Sequence, residues 1–345
     1  MNRGQSRILR ASTFVATLAM ASLLASPRAR CGQTAAAPLV QHPLEATTEM
    51  VKLDVTVLNA QGEFVDGLEQ PSFHVFDDGV ERPIAFFAPV AAPAKVVLIL
   101  ETSPAVYLFE NEHIAAAYAL LGGLGEDDQV ALISYADTAK QLVGFTSNKQ
   151  QLAYAIENVQ YTIGAAALNL YDSISTVLDA LGRFPGKKAI VLLTTGLDSS
   201  PPAHWDALLQ KLRDSDVVIF SVGLGRALDD RTPKPKASKK AVSETSNPGG
   251  TALLEKAQTG LVELSDMTGG RAYFPETAQD FAADYREISS SLRHEYVLGI
   301  APGHDGRLHH LSVEVLDAKQ RPTKGKKHAT PQYRIFARDG YLAPH

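Results

Sequence analysis

Residues 95–100 read KVVLIL, and the run stops at Glu101-Thr102-Ser103-Pro104-Ala105. An apolar run this short, closed by Pro and small polar residues, is a strand buried on both faces. A strand of that kind needs helices on both sides of its sheet, so the chain is held to an α/β architecture. In open α/β sheets, ligands sit beyond the carboxyl ends of the central strands. Residues 101–105 are therefore where chemistry should gather.

The chain before this strand reads differently. Val51, Leu53, Val55 and Val57 alternate with Lys52, Asp54 and Thr56, a period of two that predicts a half-buried strand. Further short alternating runs follow, and Asp77-Asp78-Gly79 marks a hairpin turn because Gly accepts positive φ. Residues 48–90 are expected to form a small antiparallel β unit, followed by an Ala/Pro linker. From residue 95 strands and helices alternate. Residues 129–135 and 140–145 are strands joined by only four residues, too few for a crossover, so they pair antiparallel. Leu170, Ile174, Val177, Leu178 and Leu181 recur at helical spacing, and Gly182 and Pro185 end that helix. Thr277 and Asp280 have the spacing of a capping box. Residues 226–250, rich in Lys, Pro, Ser and Gly, interrupt the rhythm and are expected as a mobile loop. Residues 295–345 return to β structure, with a basic turn at 321–327. The α/β domain is thus expected over 95–294, flanked by two β segments whose packing the sequence leaves open.

The first 36 residues carry five arginines and no acid. Arg3, Arg7 and Arg10 precede the apolar residues 11–25, a stretch shorter than a spanning helix needs. This reads as a signal peptide, with an uncleaved anchor as the alternative, and predicts a secreted or periplasmic protein without stable membrane insertion after cleavage. Taking those five arginines from the 33 basic residues leaves 28 against 38 acids. Such a surface does not favour nucleic acid. Cys31 is the only cysteine, so an exported fold must rest on its core rather than on internal disulfides.

Five segments in order resemble a von Willebrand factor type A (vWA) domain: residues 95–103, 128–146, 170–174, 189–196 and 264–271. Residues 51–87, with Asp77-Asp78-Gly79, and the pair Tyr296-Val297-Leu298-Gly299 and Arg338-Asp339-Gly340-Tyr341 resemble the flanks of the secreted vWA-related family known mainly from Acidobacteria. The resemblance implies a Rossmann-like doubly wound, mostly parallel sheet with one antiparallel edge strand and helices on both faces. It also implies a metal-ion-dependent adhesion site for Mg²⁺: Asp-x-Ser-x-Ser after the first strand, a Thr before the second-loop helix, and an Asp after the central strand.

This sequence departs from that pattern. Glu101 replaces the Asp, Ser103 matches, Ala105 replaces the second Ser, Leu168 falls at the Thr position with Asn169 beside it, and Thr195 replaces the late Asp. Asp198, three residues further on, is the one remaining carboxylate nearby. Mg²⁺ needs oxygen ligands in near-octahedral geometry, so Glu101, Ser103 and Asp198 are expected to be a vestigial metal set. In a loop kept for its shape, Glu101 and Ser103 should cap the following helix or meet solvent. No cofactor loop, P-loop or Gly-x-Ser-x-Gly elbow is present, so no enzyme activity is expected. His309 and His310 are adjacent on a predicted strand and point to opposite faces, which argues against a metal shared between them.

The expectation is an exported, non-enzymatic module that binds a protein or envelope component through loops 102–109, 162–169 and 196–202. Thr102, Tyr107, Phe109, Asn169 and Thr195 are the candidate contacts. Tyr107 and Phe109 are either exposed there or buried under the first helix. The alternatives are an adhesion module with residual Mg²⁺ on Glu101, Ser103 and Asp198, an enzyme using Glu101 and Asp198 as acid and base, and a structural envelope protein.

Overall fold

Alternation of apolar and polar residues makes β1 (Val51–Asn59), and the runs after it make β2 (Phe73–Asp77), β3 (Val80–Arg82) and β4 (Phe86–Pro89). The structure is a computed structural model. It describes residues 50–89, 92–164, 167–225, 227, 248–316 and 333–345. The expected signal peptide, nearly all of the 226–250 loop and the basic turn at 321–327 lie outside the described residues.

The apolar run opens the α/β region as β5 (Ala94–Glu101). It is followed by α1 (Pro104–Tyr107), α2 (Glu110–Gly123), β6 (Gln129–Tyr135), β7 (Ala139–Thr146), α3 (Lys149–Glu157) and α4 (Leu170–Leu181). Then come β8 (Lys187–Thr194), α5 (Pro202–Arg213), β9 (Val218–Gly223), α6 (Pro248–Thr268), β10 (Ala272–Tyr273) and α7 (Ala278–Ser291). The strands form one sheet in the order β10-β9-β8-β5-β6-β7. All neighbours are parallel except the edge pair β6–β7, whose short connection permits only the antiparallel arrangement. Because side chains alternate along a strand, β5 feeds two cores. Val96, Leu98 and Leu100 pack with Phe109, Leu120, Leu152, Phe281 and Tyr285 on one face. Val97 and Ile99 pack with Leu170, Ile174, Leu208 and Leu261 on the other. Helix α7 starts with the expected capping box: Asp280 N–H bonds Thr277 Oγ1, and Thr277 N–H bonds the Asp280 carboxylate at 2.9 Å.

The chain ends in β11 (Glu295–Ile300), β12 (Leu308–Val315), β13 (Tyr333–Phe336) and β14 (Gly340–Leu342). These settle how the flanks pack. Residues 48–90 do not make a β unit of their own. Strands β1 and β4 join β13 and β11 in the order β13-β1-β11-β4, while β2 and β3 join β14 and β12 in the order β14-β12-β2-β3. The two four-stranded sheets share one core, in which Leu53, Val55, Tyr296 and Leu298 meet Phe73, Val75, Leu311 and Tyr341. The polar face of β1 is also covered, against expectation: Asp54 and Thr56 are buried. Lys52 and Asp54 share a crevice with Ser215, Asp216, Thr268 and Arg338 at the amino-terminal edge of the α/β sheet. Arg338 donates to the carbonyls of Arg213 (2.9 Å) and Ser215 (3.1 Å) there, and burial lowers its pKa.

Candidate functional site

Glu101 closes β5 at the carboxyl end of the sheet with no exposed surface. The strands beside it place hydroxyls around its carboxylate. Oε2 accepts from Thr195 N–H at 2.7 Å, Thr195 Oγ1 at 2.9 Å, Thr194 Oγ1 at 2.9 Å and Tyr135 OH at 3.1 Å. Oε1 accepts from Ser103 Oγ at 2.5 Å. The same hydroxyls take further bonds from their own backbone. Thr194 Oγ1 accepts Gly196 N–H at 2.8 Å, and Thr195 Oγ1 accepts Leu197 N–H at 3.3 Å. Tyr135, fully buried on β6, lies 2.6 Å from Thr194 Oγ1. Burial, and then the Glu101 charge, push its phenol pKa well above the ordinary value, so it stays a hydroxyl donor.

The expectation that Glu101 and Ser103 cap a helix or meet solvent is therefore corrected. Ser103 stands at the start of α1 but makes no side-chain cap bond; its hydroxyl turns back to Glu101. The longer glutamate side chain reaches donors on the neighbouring strands β6 and β8, which a backbone-facing cap would not. This arrangement does not fit Mg²⁺. Both Glu101 oxygens are engaged by hydrogen donors, the threonine hydroxyls are turned to Glu101 and each accepts a backbone N–H, and Ala105 brings no oxygen.

Asp198 is equally committed. Its Oδ2 accepts Tyr171 N–H at 3.0 Å at the start of α4, and its Oδ1 accepts Ser200 N–H at 2.6 Å. Asn169, half-buried, holds its loop to the β6–β7 turn, with Nδ2 on the Asp137 carbonyl at 2.6 Å and its N–H on the Ala136 carbonyl at 2.8 Å. The Leu168 carbonyl accepts Ser199 N–H at 2.6 Å, and Leu168 N–H donates to Ser199 Oγ at 3.1 Å. The expected contacts Thr102 and Thr195 are buried, and Phe109 is fully buried in the core beside Phe281, so none of the three presents a surface.

Tyr107 is different. It is 56 % exposed, its neighbour Leu108 57 % and Ile163 on the adjacent loop 99 %. The two loops are tied together: Thr162 N–H bonds the Thr102 carbonyl at 2.8 Å, and Tyr107 meets Tyr161 edge-on at 5.4 Å between ring centres. Partial burial, with Glu110 and Tyr107 nearby, pushes Tyr161 up to about 12. Tyr107, Leu108 and Ile163 are thus exposed on two hydrogen-bonded loops at the carboxyl end of the sheet. Sequence reasoning missed Leu108 and Ile163 because neither carries a chemical signature. It also missed Tyr135, Thr194 and the way they lock Glu101, since these lie on other strands. Among the paired histidines, His309 is buried and His310 exposed, as alternation on a strand requires.

The sheet order, the antiparallel edge and the two helical layers are those of the vWA fold. Residues 96–253 match the family model of the von Willebrand factor type A domain. An uncharacterised protein of Borreliella burgdorferi is 25 % identical over 213 residues, 56 % of this chain; the chain spans 59 % of that curated relative's length. Among solved structures, a von Willebrand factor type A protein from Catenulispora acidiphila is 11 % identical, with 78 % of this chain and 73 % of that one covered and a TM-score of 0.45. The vWF domain of the type V pili tip protein Mfa5 from Porphyromonas gingivalis is 13 % identical, with 59 % and 96 % covered and a TM-score of 0.43. No helix among the described residues is long and apolar enough to cross a membrane.

Proposed function

We propose that this chain is an exported, non-enzymatic interaction module. It would engage a protein or envelope component through the carboxyl-end loops of its vWA sheet, without Mg²⁺. The observation that carries the reading is that Tyr107, Leu108 and Ile163 are exposed on two hydrogen-bonded loops at the end of the sheet where Glu101 is locked by hydroxyl donors. Isolated exposed apolar residues need no explanation, but three on adjoining loops make a patch, and Tyr in particular is enriched at interface cores. The arginine-rich leader with its apolar stretch supports export. In this reading the flanking sheets form the base from which the loops project.

Photo-crosslinking tests this. A photoreactive residue in place of Ile163 or Tyr107 should give a discrete adduct in envelope extracts, with or without chelator. The same residue in place of Tyr154, exposed on α3, should not. Equal labelling from all three positions, or adducts abolished by chelator, would defeat the reading.

A further inference from the structure

A second cluster of polar groups lies in the β flank. Strand β2 ends at Asp77, and Asp78-Gly79 turns it into β3 with φ values of 51° and 78°, the left-handed pair that a two-residue hairpin requires. Strand β12 runs antiparallel to β2 and carries His309, nine-tenths buried, beside this turn. His309 Nδ1 lies 2.6 Å from Asp77 Oδ1 and 3.5 Å from Asp78 Oδ2. Its Nε2 lies 3.0 Å from Asp305 Oδ1.

The surroundings fix the roles of these atoms. Arg307 grips Asp305 through Nε (2.8 Å) and Nη2 (2.6 Å), a pairing that a carboxylate makes. Asp305 therefore stays a carboxylate and accepts the Nε2–H. The ring is clamped: Tyr341 stacks on it at 5.1 Å, and at Gly303 any Cβ would lie within 2.9 Å of Nε2. Asp77 Oδ2 is occupied by Tyr341 OH and Arg82 Nη2, each at 3.3 Å, which leaves Oδ1 aimed at Nδ1. The Nδ1 lone pair thus faces two carboxylates, an arrangement that only a cation between them relieves. That cation is a proton or a metal ion.

We propose that Asp77, Asp78 and His309 bind a divalent transition metal of the zinc class, with Asp305 as the partner that orients the imidazole. One ligand atom from each of the three residues lies within 4.8 Å of the others. Ligand atoms roughly 2.0–2.2 Å from one tetrahedral Zn²⁺ stand about 3.3–3.6 Å apart, so the half-exposed Asp78 Oδ2, 3.5 Å from Nδ1, already suits it, while Asp77 Oδ1, 2.6 Å from Nδ1, must draw back as the metal enters between them. One nitrogen and two carboxylates, with water as the fourth ligand, suit zinc better than Mg²⁺ or Ca²⁺. A carboxylate on the second imidazole nitrogen is the usual support of a metal-bound histidine.

The test is calorimetric titration of the purified chain with Zn²⁺, together with Co²⁺ absorption spectra. The expected result is one saturable site per chain, weakened at least tenfold in Asp78→Asn and lost in His309→Gln. Asp305→Asn should weaken it by about 10–100-fold. Should His309→Gln fail to fold, Asp78→Asn, at an exposed turn, carries the test. No saturable site, or wild-type affinity in Asp78→Asn and Asp305→Asn, would overturn the proposal.

Discussion

At the scale of single residues, Glu101 explains most about the top of the sheet. A fully buried carboxylate persists only where its oxygens are bonded, and here β6, β8 and Ser103 supply the donors. Glu101→Ala would strand those donors in a dry site. It should cost roughly 3 kcal/mol in urea denaturation whether or not Mg²⁺ is present. Asp284 on α7 gives a pH signature. Partial burial, and then Asp280, raise it from 3.8 to about 6, against the opposing pull of Arg271. The folded state therefore holds this proton more tightly than the unfolded chain. The stability it contributes is full below the unfolded value and fades as pH rises through the folded one. Asp284→Asn should be more stable than wild type at about pH 8 and indistinguishable at about pH 3.5 in melting experiments. Of the residue-level site, the sequence showed where Glu101, Ala105 and Thr195 depart from the pattern it resembles, but not the bonds that Glu101 makes. Glu101 and Tyr135 are 34 positions apart and Asp77 and His309 232 apart, and side-chain pairings over such separations leave no local pattern. The turn chemistry of Asp78-Gly79 was legible; its neighbour across the sheet was not.

At the scale of elements, the α/β sheet was legible because every strand and helix carries its own period. The β5 run, the β6–β7 hairpin and the Thr277 capping box are local signals, and the structure has each of them. The flanking sheets were not legible. The alternation in β1 says which residues share a face, but not that β11 and β13 will be its neighbours. Nor did it show that the polar face is covered as well. The contact between the flanks and the α/β region includes a buried ion pair: Lys187 at the start of β8 lies 2.5 Å from Glu295 at the start of β11. Lys187 also donates to the Leu292 carbonyl. Burial raises the Glu295 pKa and the Lys187 charge opposes that shift. Removing one member leaves the other charge dry. Lys187→Met should cost about 3–5 kcal/mol, while Lys187→Met with Glu295→Leu should recover most of that loss, as chemical denaturation of the full cycle would show.

At the scale of the whole molecule, the described residues place the candidate surfaces on different parts of the fold. The apolar face of Tyr107, Leu108 and Ile163 rises from the carboxyl end of the α/β sheet. The Asp77–His309 cluster sits within the β flank. Strands from both ends of the chain share the flanking sheets, so truncating either end should damage them both. The central claim is that the vWA sheet presents its loops with a carboxylate locked by protein donors instead of a metal. The most direct measurement is isothermal titration calorimetry of the purified chain with Mg²⁺ and Mn²⁺, repeated on Glu101→Gln and Asp78→Asn. No saturable heat that depends on Glu101 is expected. Micromolar binding abolished by Glu101→Gln but unchanged by Asp78→Asn would contradict it.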